Sequence, residues 1–126
     1  MNRRIAVYPG SFDPVTAGHL DIIRRAVRLF PQVIVAVSDN PNKIPTLTSA
    51  ERVTLLKQAT RRIPQVKVEC FNSLLVDYLR RKKVRIIIRG LRAISDFEYE
   101  FQLALMNRKL YPDMETVFLM PAEEYT

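Results

Sequence analysis

Cysteine occurs once in these 126 residues, at Cys70, so no disulfide can close within the chain. A reducing compartment is the natural expectation. No apolar run approaches the roughly 20 residues that cross a bilayer. No signal-peptide core precedes the first apolar segment, which begins almost at the N-terminus. A soluble, cytoplasmic protein is therefore expected. Glycine is scarce, and a Gly-Lys-Ser/Thr run is missing, which removes the main support for kinase or ATPase chemistry of the P-loop type. There is a single histidine, and no grouping of His, Cys and carboxylates suggests a protein-built metal cage. Internal repeats, low-complexity tracts and interdomain linkers are also lacking. A single domain over residues 1–126 is expected, large enough to bury roughly two-thirds of its unfolded surface without staples.

What the chain has in excess is positive charge. Lys and Arg number 20 against 13 Asp and Glu, a formal net charge of +7. The imbalance favours anionic partners without saying which kind. Much of it is expected to be solvated surface. Arg61, Arg62, Arg80, Arg81, Lys82 and Lys83 fall at the ends of predicted helices, where cations complement the dipole.

Apolar segments of two kinds alternate. Residues 5–8, 33–37, 66–70, 84–88 and 117–120 are short and rich in β-branched side chains, and they read as strands. Longer stretches with helical spacing lie between them. Leu20, Ile23, Val27 and Phe30 share one face while Arg24, Arg25 and Arg28 take the other. Val53, Leu56 and Ala59 mark a second helix. Leu75 and Leu79 mark a third, with Ser73 as its expected N-cap. A fourth should run over 95–110, stopped at Tyr111-Pro112. Such alternation predicts βαβ units with right-handed crossovers and an α/β fold on a mostly parallel sheet. Segments 33–37 and 86–88 are continuously apolar, as strands covered on both faces are. Val66-Lys67-Val68-Glu69-Cys70 alternates, which predicts an edge strand. Ligands of open parallel sheets sit beyond the carboxyl ends of the strands, so the strand exits are where chemistry is expected.

The first exit reads Pro9-Gly10-Ser11-Phe12-Asp13-Pro14-Val15-Thr16-Ala17-Gly18-His19. Gly10 allows a close approach, Ser11 offers a hydroxyl, and the helix that follows presents unpaired N–H groups suited to phosphate. His19 there could donate to a phosphoryl oxygen gaining charge. From composition alone, the same residues could be no more than a turn. The second exit leads into an irregular stretch, 39–49, whose only cation is Lys43; such loops are often functional. The fourth exit is Arg89-Gly90-Leu91-Arg92, followed by Asp96-Phe97-Glu98-Tyr99-Glu100. Guanidinium groups there suit phosphate. Salt bridges to Asp96, Glu98 or Glu100 are the competing use; one of the two arginines could be so engaged, and phosphate is favoured for the pair.

Two of these strings carry a resemblance. Thr16-Ala17-Gly18-His19 resembles the (His/Thr)-x-Gly-His signature of the nucleotidyltransferase superfamily. The longer string from Tyr8, and Arg89 through Glu100, resemble bacterial phosphopantetheine adenylyltransferases. The resemblance implies a Rossmann-like, doubly wound, open parallel five-stranded sheet. It implies transfer of AMP from ATP to 4′-phosphopantetheine, giving dephospho-CoA and pyrophosphate, with Mg2+ accompanying ATP. His19 would be catalytic. Ser11, Phe12, His19, Gly90, Leu91, Arg92, Glu100, Tyr125 and Thr126 would bind ATP. Ser11, Lys43, Leu75, Arg89 and Asn107 would bind the acceptor. By their residues alone, Leu74 and Leu75 read equally as core leucines, and Asn107 as a helix-surface amide.

The resemblance further implies a homo-oligomer, a hexamer in the family, and neither a nucleic-acid nor a membrane partner. Relatives continue past Tyr125-Thr126 with a phosphate-binding motif and further helix, so a shortened chain lacking the C-terminal helical segment is expected. Competing readings are a related nucleotidyltransferase with another phosphorylated acceptor, an inactive scaffold, and a nucleic-acid-binding module suggested by charge alone. Against the last, no RRM-like aromatic and basic strand motif is present.

Overall fold

The computed structural model describes residues 4–39, 44–92 and 94–125. Five strands and four helices alternate: β1 (Ile5–Gly10), α1 (Ala17–Leu29), β2 (Gln32–Ser38), α2 (Ser49–Ala59), β3 (Val66–Phe71), α3 (Leu75–Lys82), β4 (Ile86–Gly90), α4 (Ile94–Leu110) and β5 (Glu115–Leu119). A short 3-10 turn, Glu123–Tyr125, follows. The strands form one parallel sheet in the order β3-β2-β1-β4-β5. From β1 the chain winds outward through β2 to β3, then returns to place β4 on the other side of β1. The winding direction therefore reverses between β1 and β4, and the adjoining loops part there to leave a crevice.

The period-2 geometry of the strands sorts their apolar residues into two cores. Ala6, Tyr8, Val33, Val35, Val37 and Ile88 face α1 and α2, meeting Ile22, Ile23, Ala26 and Leu56. Val7, Ile34, Ala36 and Ile87 face the opposite side, meeting Val76, Tyr78 and Leu79 of α3 with Tyr111 and Met114. β2 is buried from Val33 to Val37 because both faces are covered. β3 pairs only with β2, as its alternation predicts. Val66 and Val68 pack inward, while Glu69 accepts from the Tyr78 hydroxyl at 2.5 Å and from Lys82 Nζ at 2.8 Å.

Several boundaries differ from the sequence expectation: β1 and β4 run on through Gly10 and Gly90, so Pro9, Gly10, Arg89 and Gly90 end strands rather than follow them. Val84 is buried at the exit of α3, where its N–H donates to the Leu79 carbonyl. β4 starts at Ile86, so the apolarity of Val84 reports burial and not pairing. β5 occupies Glu115–Leu119, in register with Ile86–Gly90, and Met120 beyond it is exposed. Ser73 is not the N-cap of α3. Leu74 holds that position without a side-chain hydrogen bond, and the Ser73 hydroxyl donates to the Leu74 carbonyl.

α1 and α2 have reciprocal caps. At α2 the Thr48 hydroxyl accepts from Glu51 N–H, and Glu51 Oε1 accepts from Thr48 N–H, a Thr-x-x-Glu box. α1 has the same arrangement with His19 in the place of the glutamate.

Candidate active site

Two cavities open at the carboxyl ends of the strands. The first, about 590 Å3, lies over the switch between β1 and β4. Its walls are the β1 exit from Tyr8 to Phe12, the start of α1 from Thr16 to His19, Arg89, Gly90 and Arg92, the α4 residues Asp96, Tyr99 and Glu100, and Pro121 and Tyr125. The second, about 500 Å3, lies over β1 and β2 and is lined by Ser38, Asp39 and the 71–75 segment. Pro9, Gly10, Ser11 and Arg89 line both. Two ligands held in the two cavities would meet at this shared wall.

His19 sits at the third position of α1. Thr16 N–H donates to His19 Nδ1 at 3.0 Å, and the Thr16 hydroxyl accepts from His19 N–H at 3.3 Å. A backbone N–H can only donate, so Nδ1 carries no proton and the neutral ring is protonated at Nε2. Burial lowers the pKa of His19, and the neighbouring Arg92 charge lowers it further. The signature thus places at the first cavity a neutral imidazole with its proton on Nε2.

The ring is buttressed by Phe12, edge-on with centroids 4.9 Å apart. Phe12 is 2 % exposed and adopts φ 48°, a left-handed conformation that few bulky residues take. Its ring also meets Tyr8 edge-on, at 5.2 Å. The space that Gly10 leaves open is filled by this ring: a Cβ at Gly10 would lie 3.0 Å from Phe12 Cε2. The close approach expected at Gly10 is therefore internal, and Phe12 supports the site from below. Burial pushes the Tyr8 phenol up to about 12, against the opposing pull of Arg89 and Arg92, so it stays protonated at neutral pH.

Both arginines of the fourth exit have carboxylate partners, where the sequence favoured leaving the pair free for phosphate. Arg89 donates from Nη2 to Glu100 Oε1 at 2.6 Å and from Nε to both carboxylate oxygens, at 3.1 and 3.0 Å. Its Nη1 reaches the Pro9 carbonyl at 3.3 Å. Glu100, expected at the nucleotide, is buried and spends its carboxylate on Arg89, although it also lines the first cavity. The reason is helical geometry: Asp96, Tyr99 and Glu100 share the face of α4 that turns toward β4. Arg92 Nε lies 3.3 Å from Asp96 Oδ2 in a solvent-exposed pair, a kind worth little net energy and readily exchanged.

Of the other residues singled out, Ser11 lines both cavities, Leu75 lines the second, and Gly90 and Tyr125 line the first. Leu91 lines neither; its N–H donates to the Leu119 carbonyl. Asn107 also lines neither, and it is buried where a helix-surface amide was expected. Lys43 and Thr126 lie outside the described residues. Sequence reasoning missed Tyr8, Asp96, Tyr99 and Pro121 as wall residues. The i, i+3, i+4 spacing of Asp96, Tyr99 and Glu100 was the available signal. It also passed over Asp13, which accepts from the N–H groups of Thr46 and Leu47 at 2.7 and 2.8 Å and ties the loop before α2 to the β1 exit. Among the described residues, no group of three or more His, Cys, Asp or Glu could hold a metal ion. No helix among them is long and apolar enough to cross a membrane.

Comparison with known proteins agrees with this geometry. The Cytidylyltransferase-like family profile matches residues 7–126. A phosphopantetheine adenylyltransferase of Alkaliphilus metalliredigens is 54% identical over 123 residues, covering 98% of this chain and 78% of the relative. One of Dictyoglomus thermophilum is 57% identical over 121 residues, covering 96% and 74%. At the level of fold alone, a lipopolysaccharide core biosynthesis protein from Thermoplasma volcanium superposes with a TM-score of 0.65 at 18% identity, covering 94% of this chain and 95% of that one. With more than half its residues identical to such relatives along nearly its whole length, the chain belongs to the phosphopantetheine adenylyltransferase family, within the Cytidylyltransferase-like group.

Proposed function

We infer that this protein is a pantetheine-phosphate adenylyltransferase of coenzyme A biosynthesis, transferring AMP from ATP to 4′-phosphopantetheine. The observation that carries this reading is the pair of cavities joined at Gly10, Ser11 and Arg89, in a chain belonging to that family. ATP enters the first cavity as its Mg2+ complex, the ion held by phosphates and water. The acceptor enters the second, with its phosphate at the shared wall. One acceptor phosphate oxygen bonds to the α-phosphorus of ATP, the bond from that phosphorus to the bridging oxygen breaks, and pyrophosphate leaves with the electron pair. The products are dephospho-CoA and pyrophosphate.

The attacking oxygen is already anionic, so the reaction needs no general base. Catalysis comes from positioning and from charge stabilisation. His19 Nε2–H donates to the α-phosphate as its charge grows. Ser11 and the adjoining backbone orient the reacting oxygens. Arg89, its fork fixed by Glu100 and the Pro9 carbonyl, holds the acceptor phosphate with Lys43. Arg92 exchanges Asp96 for the pyrophosphate end, and Tyr125 and Thr126 bind the nucleotide. Leu75 forms an apolar wall for the pantetheine arm. The enzyme works in the cytoplasm as a homo-oligomer, without nucleic-acid or membrane partners.

The test is calorimetric titration with 4′-phosphopantetheine and with ATP·Mg2+, alongside pyrophosphate release over a panel of phosphorylated acceptors. Turnover should be confined to 4′-phosphopantetheine, and Arg89→Ala should weaken acceptor binding more than ATP binding. Loss of the His19 donor in His19→Ala should cost about 10²–10³ in kcat. Preference for a different acceptor would move the protein to another nucleotidyltransferase activity. A folded sample that binds neither ligand would leave a scaffold.

A further inference from the structure

Arg52 is the most deeply buried charged side chain among the described residues, 3 % exposed. One of its interactions reaches the shared wall, at Ser11, and two others reach Ser38 and Asp39 of the second cavity. Nη1 donates to the Ser11 carbonyl at 3.0 Å and to the Ser38 carbonyl at 3.1 Å. Nε reaches the Thr48 carbonyl at 3.4 Å, and Nη2 stands 3.6 Å from Asp39 Oδ1. The one carboxylate nearby is thus the most distant partner, and it is half exposed. Burying a cation against carbonyl groups is costly, and a salt bridge does not account for it here. What the guanidinium accomplishes is to join three elements: the exits of β1 and β2 and the start of α2.

We propose that Arg52 is a positioning residue for adenylyl transfer, clamping the β1 and β2 exits so that Ser11, Phe12 and His19 hold the geometry the reaction needs. The proposal rests on the adenylyltransferase reading. The path is continuous. Tying the Ser11 carbonyl toward α2 fixes the peptide plane that leads into Phe12. Phe12 then keeps φ 48°, with its ring 4.9 Å from the His19 imidazole. On the other branch, Ser38 and Asp39 line the second cavity, as Arg89 does. A residue serving packing alone would be replaceable by an apolar side chain of similar length. Nη1 holds both carbonyls while Nε, fixed in the same rigid plane, reaches the Thr48 carbonyl, so joining all three elements at once takes the planar guanidinium and not a single ammonium.

The test uses Arg52→Lys, which keeps the buried charge but not the fork, and Arg52→Met, which keeps only the length. Each is compared with the unaltered chain by circular dichroism, steady-state kinetics and amide NMR. Folded Arg52→Lys should lose roughly tenfold or more in kcat, the scale expected when reacting groups shift by a fraction of an ångström. The KM for ATP should change little, and the amides of Ser11, Phe12 and Ser38 and the His19 ring resonances should move. If Arg52→Met does not fold, the Lys variant alone decides. A folded variant with unchanged kcat, or with those resonances unmoved, would overturn the proposal. If the unaltered chain itself does not turn over, the functional reading fails, while the resonances of the variants still decide whether the clamp exists.

Discussion

At the scale of single residues, the central question is which nitrogen of His19 carries the proton. The sequence supplies an imidazole, and the bond from Thr16 N–H to Nδ1 leaves the proton on Nε2. Burial, with Arg92 adding to it, favours the neutral ring. A second proton would have to sit on Nδ1, facing a backbone N–H. The folded pKa therefore lies below the ordinary 6.5. Between that value and 6.5 the unfolded chain binds a proton that the folded chain does not. This contribution to stability is present above 6.5 and is lost as pH falls through the folded pKa. Activity carried by the neutral Nε2–H donor should follow the same direction. The acid limb of kcat/KM should then lie below the usual histidine range and coincide with the NMR titration of His19. An acid limb at or above 6.5, in a sample whose His19 titrates normally, would remove this account. The identity of the residue was legible in the Thr-x-Gly-His string. Its tautomer was not, because it depends on a hydrogen bond that exists only once the helix has begun.

At the scale of elements, that string proves to be a helix start that also serves chemistry. In α2 the N3 partner of the threonine cap is Glu51, whose role is local. In α1 it is His19, so one capping box starts a helix and orients a ring. Replacing Thr16 with Ala should cost about 1 kcal/mol of stability, the usual value of a cap. It should also lower kcat, because the hydroxyl helps to hold the turn that brings its own N–H to Nδ1. Thr16→Ser keeps the oxygen and should retain both. Thermal melts and initial rates on the two variants check this. Equal losses in Ser and Ala would show that the methyl group, and not the hydroxyl, matters. Elements were legible where patterning is local: three helices and the five strands lie where apolar spacing predicts them, and α4 ends where Tyr111-Pro112 stops it. They were misread where a residue's burial is set from a distance. Val84 is apolar because α3 and the second core close over it, and Ser73 does not cap because the helix starts one residue later, with Leu74 at the cap position.

At the scale of the whole molecule, α4 presents an apolar surface that the described residues leave exposed. Phe97, Phe101, Leu105, Met106 and Leu110 are all more than a third exposed, and the rings of Phe97 and Phe101 stack at 5.9 Å. Exposed apolar clusters of this kind favour association, in accord with the proposed homo-oligomer. Sedimentation should show species heavier than the 14.6 kDa chain, shifting toward monomer in Phe101→Asp. A wild-type chain that sediments as a monomer at micromolar concentration would exclude association through this face. The positive net charge, by contrast, is distributed in ways composition does not announce. Arg89 is paired with Glu100, Lys82 with Glu69 and Arg52 with backbone carbonyls.

The sequence by itself determined the alternation of strands and helices, the buried central strands, the edge character of β3 and the strings that surround the site. These follow from periodicity and from residue types at fixed local spacing, which survive in one dimension. Only the tertiary structure decided that β4 lies beside β1 and creates a crevice there. The same holds for Glu100 reaching across to Arg89, and for Arg52 joining Ser11, 41 positions away, to Ser38. Partners separated by that much chain leave no periodic trace. Hydrogen bonding chooses among several carboxylates and carbonyls within reach only after the sheet has set their distances.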